Sequence, residues 1–137
     1  MKKNAFYKEL KNYLESYHPR LASDDDFVES RSELAQQTFI ELSRNGSDIN
    51  DSIREANEVL YSGLHFSVYQ LITDIIEEEF PEIKDIEKFG LKMYDHIQPI
   101  LTEYNIDDQF ERSSEYDELY NRITGIIIEY TEQYGIQ

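Results

Sequence analysis

Apolar side chains recur three and four residues apart along almost the whole chain, and no run alternates apolar with polar long enough to make a strand. That period confines the chain to helices. The predicted fold is all-α, a compact bundle of five to seven helices in a single domain over residues 1–137. At this length folding removes roughly two-thirds of the unfolded chain's surface from water, so a core needs no metal or disulfide to hold it. There is no Cys, which excludes disulfides, thiol catalysis and Cys-ligated zinc.

Gly and Pro fall mainly between the periodic segments and divide them. Phe6, Leu10, Tyr13, Leu14 and Tyr17 form the first stripe, which ends at His18-Pro19. Ser23 is the expected N-cap of the second helix, with Asp24, Asp25 and Asp26 suiting the positive end of its dipole. Its stripe is Phe27, Arg31, Leu34, Ala35, Thr38, Phe39 and Leu42, closing at Asn45-Gly46. A third helix starts within 48–51 and buries Ile53, Ala56, Val59 and Leu60. The fourth runs from Ser67 to Phe80-Pro81, and the fifth spans about 82–104. Within that fifth pattern Pro99 removes a backbone donor, which predicts a kink or a break into two shorter helices. The acidic stretch 105–115 is expected to be a mobile loop. The last helix begins near Ser113 or Ser114 and stops at Gly135. Gly90 and Gly125 lie inside helical patterns, where each costs roughly 1 kcal/mol relative to Ala, and close helix crossings are the expected compensation.

The stretch YSGLHFSVYQL at 61–71 looks most like a site. Most of it has structural work to do. Gly63 suits the left-handed stop of a helix, with Leu64 packing back on Val59. Ser67 is the next N-cap, Gln70 completes a reciprocal capping box, and Phe66 and Leu71 occupy the two positions of a hydrophobic staple. His65 is left over. It is either a satisfied polar residue at a helix junction or an imidazole facing a cleft near a helix N-terminus, able to bind an anion or shuttle protons. His65, with Tyr61 beside it, forms the candidate binding pair; no catalytic set and no metal ligands are assigned.

Other chemistry is weaker. His18, His65 and His96 have no ligand spacing, and no phosphate-cradling Gly loop or nucleophile elbow is present. Asp48, Asn50 and Ser52 begin like a calcium loop but lack its Gly and terminal Glu. Lys84, Lys88 and Lys92 make a basic stripe more economically explained by pairing with nearby carboxylates than by a phosphate site. No cofactor is called for. The eleven tyrosines suit half-buried positions and interfaces.

The formal net charge is −16, and it is unevenly placed. Residues 1–22 carry five basic side chains against two acidic ones, leaving −19 on the other 115 residues. Such a surface disfavours direct nucleic-acid binding and favours basic partners. The start of the chain lacks the unbroken apolar run of a signal peptide, and no window approaches a membrane span, so a cytoplasmic protein without membrane contact is expected.

Three blocks, HPRLASDDDFVESRSELAQQTF, ANEVLYSGLHFS and EYDELYNRITGIIIEYTEQYGI, resemble the uncharacterised helical Bacteroidetes family known as domain of unknown function 1896, over about residues 7–136. The resemblance implies a compact all-helical cytoplasmic domain, often encoded among mobile-element genes, with no established activity and no catalytic residues to carry over. The leading expectation is a non-enzymatic interaction or accessory protein that binds protein, either itself or a basic partner. The alternatives are an acidic nucleic-acid mimic that occupies a DNA-binding protein, and a small hydrolase or transferase using His65 with a carboxylate.

Overall fold

Asn4, Asp24, Ser67 and Asp85 each accept an amide from the first turn of the helix that follows, and most helices end at a Gly, a Pro or a break in the apolar period. The computed structural model describes residues 4–135, and among these it contains helices and no strand. Lys2 and Lys3 of the basic segment lie outside the described residues. The contacts sort the chain into two compact units, Met1–His65 and Phe66–Gln137.

The first unit holds α1 (Ala5–Tyr17), the single turn α2 (Pro19–Ala22), α3 (Asp25–Arg44) and α4 (Ile49–Tyr61). Asn4 caps α1, its Oδ1 accepting the Tyr7 N–H at 2.9 Å, while its Nδ2 donates to the Ser32 carbonyl and to Gln36 Oε1 on α3. Pro19 opens α2 as a first-turn residue, where its missing N–H costs nothing. That extra turn moves the start of α3: the cap is Asp24, which accepts the Phe27 N–H at 3.2 Å, and Ser23 ends α2 instead.

The buried stripe of α3 is Val28, Ser32 and Ala35, and that of α4 is Ser52, Ala56 and Leu60. Small residues predominate in both, which lets the two backbones approach closely along the hairpin. In consequence Leu34 and Ile53, both expected inside, stay 56% and 41% exposed. The core of this unit is Tyr7, Leu10, Leu14, Val28, Ala35, Ala56 and Leu60, edged by Phe6, Tyr13 and Phe39.

The second unit holds α5 (Val68–Glu79), α6 (Ile86–His96), the single turn α7 (Gln98–Leu101), a 3₁₀ turn (Phe110–Arg112) and α8 (Glu115–Tyr134). Ile72, Ile75 and Ile76 of α5, Met93 of α6 and Leu119, Ile123 and Ile127 of α8 make its centre. The expected fifth helix starts later, at the Asp85 cap, and breaks at Ile97, so Pro99 divides it into α6 and α7. Gly90 sits at a close crossing: a Cβ there would lie 3.0 Å from Thr73 Cγ2 and 3.3 Å from a Tyr69 ring carbon. Gly125 does not. Nothing stands within 4 Å of the position its Cβ would take, so the expected crossing is absent at that point.

The acidic stretch 105–115 contains a residue the periodicity missed. Phe110 is 1% exposed, its ring 5.1 Å from that of Phe66 and 6.2 Å from that of Tyr104. The expected loop is therefore anchored at its middle. Gly135, with a φ of +81°, closes α8.

Candidate functional site: the α4 terminus and its bend

α4 ends without a basic residue in its last turn, so its final carbonyls need donors from elsewhere. Arg31 of α3 supplies them. Its Nη1 donates to the Ser62 carbonyl at 2.7 Å, to Leu60 at 3.2 Å and to Val59 at 3.3 Å. A guanidinium suits this position twice over, because it has several donors and because its positive charge meets the negative end of the α4 dipole. The same group lies 5.0 Å from the centre of the Phe27 ring.

Gly63 then turns the chain with a φ of +78°, a conformation that favours glycine. Beyond it the Leu64 carbonyl accepts two hydrogen bonds, from the Tyr13 hydroxyl at 2.8 Å and from His18 Nε2 at 2.8 Å. Burial pulls the His18 imidazole below its ordinary value, with the carbonyl bond acting in the opposite direction. The neutral ring with its proton on Nε2 meets both conditions. Leu64 itself is buried in the core that Val59 packs against.

Tyr61, one of the two candidate residues, is half-buried on α4. Its ring packs edge-on to Tyr13 at 5.0 Å, and its hydroxyl donates to Glu9 Oε1 at 2.8 Å. Burial first, then the Glu9 carboxylate, pushes the phenol far above its ordinary range, so it stays protonated and serves as a donor. His65, the other candidate, is exposed in the bend that follows Leu64.

Ser67 caps α5, accepting the Gln70 N–H at 2.9 Å. The Gln70 side chain does not complete the reciprocal box: its Nε2 donates to Asp74 Oδ1 at 2.8 Å, one turn ahead. Phe66 packs against the cluster that contains Leu71, consistent with the staple.

Cavities occur within each unit. One, of about 370 Å³, lies between α3 and α4 and is lined by Arg31, Leu34, Glu55, Glu58, Val59 and Ser62. Another, of about 100 Å³, is lined by Asp85, Lys88, Phe89 and Lys92 of the basic stripe. His65 lines neither. Among the described residues no group of three His, Cys, Asp or Glu side chains is placed to share a metal ion.

Tyr13, His18 and Arg31 were legible only as members of apolar stripes or as helix ends. The signal that would have singled them out is the missing cap of α4: a helix with no terminal cation of its own and a Gly stop calls for donors from its neighbours.

The arrangement defines a helical domain whose most recognisable block closes one helix and opens the next. The chain belongs to the family described as domain of unknown function (DUF1896), whose model matches residues 2–136. Among solved structures it is similar to protein PG0816 from Porphyromonas gingivalis, a member of the Bacteroidetes. The two are 29% identical, the match covers 96% of this chain and 92% of that one, and the TM-score is 0.89. No curated protein matches. No helix among the described residues is long and apolar enough to cross a membrane.

Proposed function

We propose that the protein is a non-enzymatic, cytoplasmic interaction or accessory protein that binds protein, either itself or a basic partner, associated with mobile elements as the family resemblance implies. One observation carries the reading: large apolar side chains stand exposed on the acidic hairpin α3–α4, with Leu34 56%, Ile49 61% and Ile53 41% exposed. Exposed apolar groups set among charges suit a contact surface. The polar groups around the α4 terminus support it from the other side, since Arg31, Tyr13, His18 and Tyr61 bond to backbone carbonyls or to Glu9. Those bonds are structural work. His65, exposed in the bend, joins the contact surface in this reading, while Tyr61 steadies the bend beneath it.

A second reading, the nucleic-acid mimic, draws on Asp48, Asp51, Glu55 and Glu58, which follow one another at helical spacing along α4. In that case the basic partner is a DNA-binding protein, and duplex DNA displaces it. The test of the main reading is a cross-linked pull-down from host lysate combined with native mass measurement of the purified chain. A single protein captured in fixed stoichiometry, or a defined self-assembly, is expected. A strict monomer that retains no protein overturns it.

A further inference from the structure

We infer that the groove between α3 and α4 docks a basic amphipathic helix of a partner protein. This rests on the interaction reading above and assigns it a place and a partner chemistry.

The groove lies on the side of the hairpin away from α1. α1 meets α3 through Asn4 at Ser32 and Gln36, and it meets α4 through Glu9 at Tyr61. Leu34 is two residues from both Ser32 and Gln36, and Val59 is two residues from Tyr61. Two residues are roughly 200° around a helix, so Leu34 faces the opposite side, while Val59 packs on the core and also borders the groove. There Leu34, 56% exposed, and the half-buried Val59 supply the apolar surface.

The walls set the charge of the occupant. Glu55 and Glu58 line the groove and are exposed, and Asp51 continues their row one turn earlier, paired with Arg54 at 2.9 Å. Arg31, the cation in the lining, is spent on three carbonyls of the α4 terminus. An apolar strip beside an acidic row is the complement of a helix that carries leucine-like residues on one face and lysine or arginine next to them. The α4 side of the groove, from Glu55 to Ser62, is about 10 Å long and matches about two turns of a partner helix.

A second copy of this chain is a poorer occupant. Its own basic row, Lys84, Lys88 and Lys92, belongs to the second unit and is not part of the groove lining. Pairing one with the other would be head-to-tail, and such contacts grow into open polymers unless a ring happens to close.

The test uses the full chain and a fluorescent Leu/Lys amphipathic peptide of about 14 residues, with a Leu/Glu peptide of the same pattern for comparison. Fluorescence anisotropy is read at near-physiological salt. The Glu55→Lys/Glu58→Lys variant and, separately, Leu34→Ser are each expected to weaken binding of the Leu/Lys peptide about tenfold or more. Glu77→Lys/Glu78→Lys, which changes net charge by the same amount at exposed positions on α5, is expected to stay within about twofold of the unaltered chain. Thermal melts check that each variant stays folded. The inference is overturned if the α5 variant weakens binding as much as the groove variant, because total charge then explains the affinity. It is also overturned if the Leu/Glu peptide binds equally well. A self-assembly that only the groove variants dissolve overturns it too, since the occupant is then a second copy. If the peptide fails while the pull-down partner is still captured by the groove variants, the interaction reading stands and the site does not.

Discussion

Arg31 is a residue of one helix whose charge serves the end of another. Its three carbonyl acceptors belong to Val59, Leu60 and Ser62, and the shortest bond is 2.7 Å. Removing the guanidinium would leave those carbonyls to weak or solvent partners and strip a cation from the negative end of α4. Hydrogen bonds to charged groups contribute roughly 1.5–3 kcal/mol, so Arg31→Met is expected to cost about 2 kcal/mol, read as a lowered urea midpoint with an unchanged slope. Arg31→Lys restores charge without the fork and should fall between the two. An unaltered midpoint in Arg31→Met would show that solvent replaces the guanidinium without loss. None of this was visible in the residue itself, which fits the helical stripe of α3 as a long amphipathic side chain.

At the scale of elements, the two interior glycines part company. Gly90 of α6 has Thr73 and Tyr69 of α5 against it, whereas Gly125 of α8 is open. Gly90→Leu therefore forces a side chain into the α5–α6 crossing and should destabilise the chain by about 2–3 kcal/mol. Gly125→Ala fills no occupied space and gains helix propensity, so a rise of roughly 0.5–1 kcal/mol is expected. Differential scanning calorimetry of the two variants decides it, and a loss of stability in both would reinstate a crossing at Gly125. Sequence spacing treats these glycines alike because it reports only that a helix tolerates them; what stands opposite is a tertiary fact. The same limit explains the rotated stripes. Leu34 and Ile53 fit a helical apolar face, yet Ser32 and Ser52, absent from the expected stripes, take the interior of the hairpin beside the expected Ala35 and Ala56. Hydrophobicity marked the alanines and the larger residues alike, while close helix packing admitted two serines that carry no apolar signal. Caps were more readable, since Ser67, Asn45-Gly46 and Gly135 act through local geometry alone. Phe110 was unreadable for the opposite reason, because one anchoring ring in an acidic stretch has no period to betray it.

For the whole molecule, charge and titration pull in opposite directions as pH falls. A formal net charge of −16 makes protonation of exposed carboxylates relieve repulsion, which favours the folded chain. His18 opposes that. Its folded pKa lies below the ordinary 6.5, so in the window beneath 6.5 the unfolded chain takes up more protons at this ring than the folded one. Its contribution is fully present above that value and is lost as pH falls from 6.5 towards the lower folded pKa. His18→Gln keeps a donor for the Leu64 carbonyl without a titration. Melting temperatures of the two proteins at pH 7.5 and 5.5 isolate the effect: the unaltered chain should lose ground to the variant on acidification. Parallel behaviour would mean that the ring protonates in place without penalty. The candidate pair from the sequence divides along the same line. Tyr61 bonds to Glu9 of α1, and His65 is exposed in the bend after Leu64.

The closure of α4 has one further consequence. Arg31, Tyr13 and His18 all grip main-chain oxygens, at positions 59, 60, 62 and 64. A grip on backbone is blind to the side chains that the backbone carries. Mutational tolerance should therefore be lopsided: exposed Ser62 is free to vary, whereas the three donors and the left-handed Gly63 are not. The recognisable letters of the block are thus a record of what holds it from outside as much as of what it contains.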